Sequence, residues 1–279
     1  MLRASFVLQN QGLYIILLIM GAVRAAGRLF YIEWRKCMYK NYLFDLYGTL
    51  VDINTDEWCD EIWDRMALIY TLSGAPYTGK ELHENYDRLV QEEKKKIPKS
   101  KYTTTPEPLV ENVFITLYEQ KGVSCDRETA AYTGRVFRAL SIKFIRLYDG
   151  VHELFKAIRD NGGRIFLLSN AQRIFTEPEI RMLGIYDEFD YVMISSDEGV
   201  AKPDRKFYEC MLNRFDLDPK ETIMIGNDYI TDIKGSYEAG IDSLYLDTDI
   251  SPEIKGELLA KYKIMSGSLI EARKVLFGE

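Results

Sequence analysis

The chain has 279 residues, a length that accommodates one large domain or two smaller ones. Hydrophobic residues make up 47% and charged residues 28%, which is typical of globular proteins and excludes collagen-like and wholly disordered chains. With 36 Lys and Arg against 43 Asp and Glu, the net charge is −7. Such a surface repels a phosphate backbone, so we expect no nucleic-acid partner, whereas a small anionic substrate can still bind at a local cation.

The cysteines and histidines restrict the chemistry further. Cys37, Cys59, Cys125 and Cys210 lie far apart without a Cys-x-x-Cys pair, which argues against a zinc knuckle and a dense disulfide framework. The two histidines do not neighbour a Ser or Cys motif, so a histidine-based catalytic triad is not expected. We predict reduced thiols and a cytoplasmic protein.

Residues 1–37 differ in composition from the rest of the chain. The run Gly12–Val23 is apolar and uncharged, but its 12 residues fall short of the roughly 20 that a helix needs to span a bilayer. We therefore expect no stable membrane insertion. A secretory signal fits less well, because Arg24 is poorly placed for cleavage. Since Met38 lies seven residues before the first chemical motif, we interpret residues 1–37 as an extension upstream of the functional start.

From Tyr39 onward, short apolar runs alternate with helical patterns. The predicted strands are Tyr42–Asp45, Arg164–Leu168, Tyr191–Ile194, Thr222–Ile225 and Asp242–Leu246. Helical patterns between them include Val151–Asp160, Asp204–Phe215 and Asp232–Ala239. Alternation of this kind requires right-handed crossovers between parallel strands. The sequence therefore predicts an α/β fold with a Rossmann-like parallel sheet.

Residues 56–147 interrupt this alternation with four consecutive helical patterns. They cover Asp56–Tyr70, Thr78–Lys96, Glu107–Lys121 and Asp126–Arg146, and Gly-, Pro- and Thr-rich turns separate them. An all-helical block after the first strand of a parallel sheet predicts an inserted cap domain. Residues 38–55 and 148–279 then form the core domain.

Four polar motifs follow predicted strands. They are Asp45-Leu46-Tyr47-Gly48-Thr49, Ser169-Asn170, Lys202-Pro203 and the segment from Gly226-Asn227-Asp228 to Asp232. Each motif alone is also explained as a turn or a helix cap. Their order along the chain is far more specific, because the carboxyl ends of parallel strands meet at one edge, where open α/β sheets bind ligands.

With these motifs the sequence resembles the haloacid dehalogenase-like (HAD) hydrolase superfamily, over about residues 39–246, and the helical insertion matches the cap of that family. The resemblance implies a hydrolase in which Asp45 attacks a phosphate ester and forms an aspartyl-phosphate intermediate. It also implies a Mg²⁺ ion held by Asp45, the backbone carbonyl of Tyr47 and Asp228, with Asp232 as a further ligand or directly behind one.

The resemblance assigns roles to other residues of the motifs. Lys202 would balance negative charge and orient the nucleophile, while Ser169 and the backbone of Asn170 would donate hydrogen bonds to the transferring group. Thr49 and Tyr47 would complete the substrate-binding residues. The expected function is that of a Mg²⁺-dependent phosphohydrolase acting on a small phosphorylated metabolite.

Tyr47 departs from the phosphatase pattern and keeps other functions open. Most phosphatases of the superfamily carry an acid/base Asp at this position, and a phenol with a pKa near ~10 is a poor general base at neutral pH. The 2-haloacid dehalogenases of the superfamily show Tyr there, and Tyr208 also has a counterpart in them. Asp228 argues against a dehalogenase, because an added carboxylate opposes an anionic haloacid. A non-catalytic HAD-fold binding protein is the third alternative.

Overall fold

Strands and helices alternate through most of the computed structural model, which describes residues 39–97 and 107–278. The extension predicted over residues 1–37 lies outside them. The described strands are β1 (Asn41–Phe44), β2 (Val51–Thr55), β3 (Ile142–Leu147), β4 (Arg164–Ser169), β5 (Tyr191–Ile194), β6 (Thr222–Gly226), β7 (Asp242–Leu246) and β8 (Tyr262–Ile264). The α-helices are α1 (Asp60–Leu72), α2 (Gly79–Lys96), α3 (Val110–Glu119), α4 (Arg127–Ser141), α5 (Val151–Asp160), α6 (Arg173–Met182), α7 (Ser195–Glu198), α8 (Arg205–Arg214), α9 (Gly235–Glu238) and α10 (Leu269–Phe277).

Six of the strands form one parallel sheet in the order β5-β4-β1-β6-β7-β8. This confirms the predicted α/β fold with its parallel sheet. The strand β1 lies between β4 and β6, with Leu43 paired in register to Phe166 on one side and Met224 on the other. The carboxyl ends of these three central strands therefore lie side by side, and each leads into a polar motif.

Helices cover both faces of the sheet, and alternate residues of β1 enter separate apolar clusters. Phe44 packs on Phe155 of α5 with ring centroids 5.3 Å apart, while Leu43 belongs to the cluster that includes Phe207 of α8. A strand that is buried on both faces needs an uninterrupted apolar run, which Tyr42-Leu43-Phe44 supplies. This packing fixes the position of β1 and therefore of Asp45, the residue that follows it.

The helices α1 to α4 lie between β2 and β3, where the sequence predicts the cap. They share an apolar cluster that includes Trp63, Tyr70, Phe114 and Phe137. Contacts join these helices and the sheet into one compact unit over Lys36–Glu279. The division into a core domain and a cap domain stays a prediction. None of the helices in the described ranges is long and apolar enough to cross a membrane.

The predicted helix Asp126–Arg146 is wrong at its carboxyl end. The helix α4 ends at Ser141, and Ile142–Leu147 instead forms β3, which pairs antiparallel with β2 from Val51↔Leu147 onward. β-Branched residues are weak helix formers, and β2 offers them a full set of backbone partners. This ribbon was missed because its pairing joins segments that the four inserted helices separate in the sequence.

Candidate active site

Asp45 directly follows β1 at the carboxyl edge of the sheet. Its backbone N–H donates to the carbonyl of Ile225 at 3.0 Å, which continues the sheet pairing and fixes the start of the loop. One carboxylate oxygen, Oδ1, accepts a hydrogen bond from Lys202 Nζ at 2.6 Å. The other, Oδ2, has only a long contact of 3.2 Å with the Thr49 hydroxyl. The side chain is 12% exposed, so it is firmly held yet open to a reactant.

Lys202 lies between two carboxylates inside the protein. Its ammonium donates to Asp45 at 2.6 Å and to Asp232 at 2.7 Å, and its side chain is 1% exposed. Two hydrogen bonds with the side chain of Asn170 hold the backbone of Lys202, one accepted by its carbonyl at 2.8 Å and one donated by its N–H at 2.7 Å. The sequence assigned Asn170 to the substrate through its backbone and missed this structural role of its amide.

Burial and the neighbouring charges shift the pKa values of Lys202 and Asp232. Burial alone would lower the pKa of Lys202, but the carboxylates of Asp232 and Asp45 more than compensate, so its pKa lies above the ordinary value. Burial raises the pKa of Asp232, against the opposing effect of the Lys202 ammonium. One cation thus faces two acidic groups, and the site can accept one more positive charge.

The fourth motif begins where β6 ends and continues as a wide turn of π-helix over Tyr229–Lys234. The Asp228 carboxylate caps this turn by accepting from the N–H groups of Ile230 and Thr231 at 2.8 and 3.0 Å. The Asp228 N–H donates to Asp232 Oδ2 at 3.0 Å, while Asp232 Oδ1 accepts from Lys202. Both oxygens of Asp232 are therefore engaged within the protein. Asp228 is partly exposed, whereas Asp232 is a buried support for Lys202.

Ser169 ends β4 and is 1% exposed. Its hydroxyl has no hydrogen-bond partner within the described part of the chain. A buried hydroxyl without a partner costs free energy, and this is unusual in a folded protein. Its position next to Asn170, which binds the Lys202 loop, fits the predicted role of Ser169 as a donor to a bound group.

Tyr47 takes part in a network that the sequence did not predict. Its hydroxyl bonds to the carboxylate of Glu179 and lies 3.0 Å from the Thr176 hydroxyl, both on α6. Glu179 also accepts from Arg138 Nε of α4 at 2.6 Å. Burial and the neighbouring Glu179 carboxylate raise the pKa of the Tyr47 phenol. No motif marks Arg138 or Glu179, because only the folded chain brings α4, α6 and the Asp45 loop together.

A cavity of about 340 Å³ opens between the helices and the strand ends. Residues of the Asp45 loop, the β4 end, the inserted helices and α6 line it, among them Tyr47, Tyr86, Arg138, Asn170, Gln172 and Phe175. Its lining thus contains both aromatic rings and charged or polar groups. Such a lining suits a small molecule with polar groups on an apolar frame.

The carboxyl edge of the sheet carries oxygen atoms of the kind that bind a magnesium ion. Within the described ranges, no three His, Cys, Asp or Glu side chains are grouped as a metal site. Mg²⁺ needs only one or two carboxylates and otherwise keeps its waters. Asp45, through Oδ2, and the partly exposed Asp228 supply two carboxylates. The Tyr47 carbonyl is also available as a ligand, because no donor among the described residues bonds to it. These hard oxygen donors fit Mg²⁺, with Asp232 behind them.

Comparisons with known proteins identify the family of the chain. The profile of the haloacid dehalogenase-like hydrolase family matches residues 39–240. The HAD-hydrolase YfnB of Bacillus subtilis is 22% identical over 227 residues, which cover 81% of this chain and 91% of YfnB. A phosphoserine phosphatase of Thermus thermophilus is 26% identical over 152 residues, covering 52% of this chain and 57% of the relative.

Solved structures share the fold. A 2-haloacid dehalogenase from Pseudomonas syringae has a TM-score of 0.58 with this chain at 20% identity, and the match covers 85% of this chain and 99% of the dehalogenase. An HAD phosphatase from Thermococcus onnurineus has a TM-score of 0.53 at 18% identity, covering 86% and 99%. Since the family profile spans most of the chain and the strand ends carry all four motifs, this chain belongs to the haloacid dehalogenase-like hydrolase family.

Proposed function

We propose that this hydrolase is a Mg²⁺-dependent phosphohydrolase that acts on a small phosphorylated metabolite. The observation that carries the proposal is the buried Lys202 ammonium shared by Asp45 and Asp232, together with a Ser169 hydroxyl at the end of β4 that has no partner among the described residues. Lys202 holds one oxygen of the Asp45 carboxylate and leaves the other, which has only the long Thr49 contact, available to attack. The Ser169 hydroxyl, on the strand paired with β1, can donate to a phosphoryl oxygen. The phosphatase names of several relatives support the same class of reaction.

The chemistry assigned to the protein's own residues balances. Asp45 Oδ2 attacks phosphorus, the bond from phosphorus to the leaving oxygen breaks, and an aspartyl phosphate forms, while the leaving oxygen departs as an anion and takes its proton from water. Lys202 keeps Asp45 in place and offsets its charge, and the Ser169 hydroxyl donates to the transferring group. Water then attacks the phosphoryl group and returns Asp45 as a carboxylate. A bound Mg²⁺ would supply charge neutralisation at Asp45, Asp228 and the Tyr47 carbonyl.

Measurement of phosphate release tests this function. The chain should release phosphate from p-nitrophenyl phosphate and from a panel of metabolite phosphate esters when Mg²⁺ is present. Asp45→Asn should abolish this release, because an amide is not a nucleophile at phosphorus. Release of phosphate by Asp45→Asn at the unaltered rate would contradict the proposal.

A second candidate, a 2-haloacid dehalogenase, is favoured by Tyr47. A halide leaves without a proton and the ester intermediate needs no metal, so a tyrosine in place of the acid/base Asp does not impair that reaction. Halide release from 2-chloropropionate, measured in parallel and in EDTA, separates the two activities. Halide release without phosphate release would establish the dehalogenase, and binding of a phosphorylated compound without release of either would support the non-catalytic alternative.

A further inference from the structure

The hydrogen bonds around Tyr47 fix where its one hydroxyl proton lies. The carboxylate of Glu179 pairs with Arg138 and can only accept, so the bond between Tyr47 and Glu179 is donated by the tyrosine. The contact of 3.0 Å with Thr176 must then be donated by the Thr176 hydroxyl. The Tyr47 hydroxyl therefore has no proton left to donate to a molecule in the cavity that Tyr47 lines.

Glu179 is fixed in this position by its surroundings. Its side chain is 5% exposed, and Arg138, whose side chain is 13% exposed, donates to it at 2.6 Å. Arg138 also donates to Glu57 at 3.0 Å, and its guanidinium lies 5.7 Å from the centre of the Tyr47 ring. A buried ion pair with this many contacts resists rearrangement, because separating it would leave uncompensated charges.

We propose that Glu179, held by Arg138, is a positioning residue that withholds the Tyr47 proton from the leaving group. This inference rests on the proposed phosphatase function. The chain then hydrolyses esters with stable leaving anions because Tyr47 stands in the place of the acid and cannot act as one. Since Arg138 lies on α4 and Glu179 on α6, packing of the inserted helices against the core controls this property.

Glu179→Gln reverses the direction of the critical bond. A carboxamide can accept from Arg138 through its oxygen and donate to Tyr47 through its nitrogen, which frees the phenol proton. In that variant the Tyr47 O–H bond breaks as the bond from phosphorus to the leaving oxygen breaks, and the proton passes to the leaving alkoxide. The tyrosinate then recovers a proton from water.

The experiment compares kcat/KM on an alkyl phosphate, glycerol 1-phosphate, with kcat/KM on p-nitrophenyl phosphate. We expect Glu179→Gln to raise the ratio of alkyl to aryl activity at least ~10-fold, a part of the ~10²–10⁴-fold that general acid catalysis contributes. Adding Tyr47→Phe to it should return the ratio to that of the unaltered chain. Tyr47→Phe alone should lower both activities in parallel. Glu177→Gln is the matched control, because Glu177 lies on the same helix and pairs with Arg173 and Arg181 instead.

Two outcomes would overturn the inference. One is a selective loss of alkyl activity in Tyr47→Phe, which would mean that Tyr47 already delivers its proton. The other is an unchanged ratio in a folded Glu179→Gln variant. A readout independent of activity is the proton resonance of the Tyr47 hydroxyl, which we expect far downfield in the unaltered chain and shifted upfield in Glu179→Gln. Absence of phosphate release in every variant, with this resonance present, would refute the proposed function and leave the assigned hydrogen bond intact.

Discussion

Lys202 is the residue on which the electrostatics of the site depend. It is the cation shared by Asp45 and Asp232, and its side chain is 1% exposed. Lys202→Met would leave two acidic groups facing each other in a low-dielectric environment. We expect kcat to fall at least ~10²-fold and the free energy of unfolding to fall by about 3–5 kcal/mol. Steady-state kinetics and urea denaturation measure the two effects.

Lys206→Met provides the control for this prediction. Lys206 is an exposed lysine four residues further along the same segment, outside the group of Lys202, Asp45 and Asp232. Its replacement should change the free energy of unfolding by less than about 0.5 kcal/mol and kcat by no more than the corresponding factor. Equal effects of the two variants would show that Lys202 contributes nothing specific to the site.

A glycine is required at position 48 of the Asp45 loop, because the side chain of Asn227 lies close to its backbone. Its φ is +83°, and a Cβ placed on it would lie 2.2 Å from the amide nitrogen of Asn227. Gly48→Ala should therefore lower the free energy of unfolding by about 2–4 kcal/mol, through backbone strain and displacement of Asn227. Gly162→Ala separates the two causes, because Gly162 has a φ of +75° and no atom lies within 4 Å of the position that its methyl group would take. Thermal unfolding should show the larger loss for Gly48→Ala, and equal losses would contradict the steric argument.

Asp228 is the partly exposed carboxylate proposed to bind the metal. Activity should disappear in EDTA and return with Mg²⁺, and Asp228→Asn should raise the Mg²⁺ concentration for half-maximal activity at least ~10-fold. Asp218→Asn is the matched control, since Asp218 also caps a turn, by accepting from the Lys220 N–H at 2.9 Å. Full activity in a chelator would refute metal dependence and favour the dehalogenase.

Among the elements, the β2–β3 ribbon joins the inserted helices to the sheet domain. Asp52 on β2 is 2% exposed and accepts from Arg146 Nε and Nη2 on β3 at 2.8 and 2.7 Å. Arg146→Ala would leave a buried carboxylate without its cation, so we expect the free energy of unfolding to fall by about 1–2 kcal/mol. The loss is no larger because Arg146 is exposed and solvent already screens the ion pair. Urea denaturation measures this change.

Lys143→Ala tests whether burial of the acid is the cause. Lys143 lies on the same strand and pairs with Asp56 at 2.9 Å, but both side chains are solvent-exposed. We expect a loss below about 0.5 kcal/mol. Equal losses in the two variants would mean that the burial of Asp52 does not matter.

At the scale of the whole molecule, the residues assigned to the site come from the sheet, the inserted helices and the segments between them. Every residue assigned to it lies between Asp45 and Asp232. A chain that starts at Met38 should therefore hydrolyse phosphate esters at the rate of the full chain and unfold at the same temperature. Comparison of the purified proteins by kinetics and calorimetry checks this. Aggregation or loss of activity would show that the extension packs on the remainder.

The sequence by itself predicted the fold class, five of the six strands of the parallel sheet and the polar motifs after four of them. These features are local: a strand buried on both faces needs a continuous apolar run, and three of the four motifs directly follow such a run, whereas Lys202-Pro203 follows the short helix after β5. It missed β2, β8, α6, α7 and α10, and it extended a helix through β3. The ribbon depends on pairing between distant segments, which no local pattern encodes.

Only the tertiary structure decided which side chains of the site bond to one another. That Lys202 bridges Asp45 and Asp232, and that Asn170 holds the Lys202 backbone, depends on segments after four different strands meeting at one edge. No sequence pattern predicts the contact of Tyr47 with Glu179, because the two residues are 132 positions apart. Residue types fix which reactions are available, whereas distances and hydrogen-bond directions, which only packing sets, decide which proton is free to move.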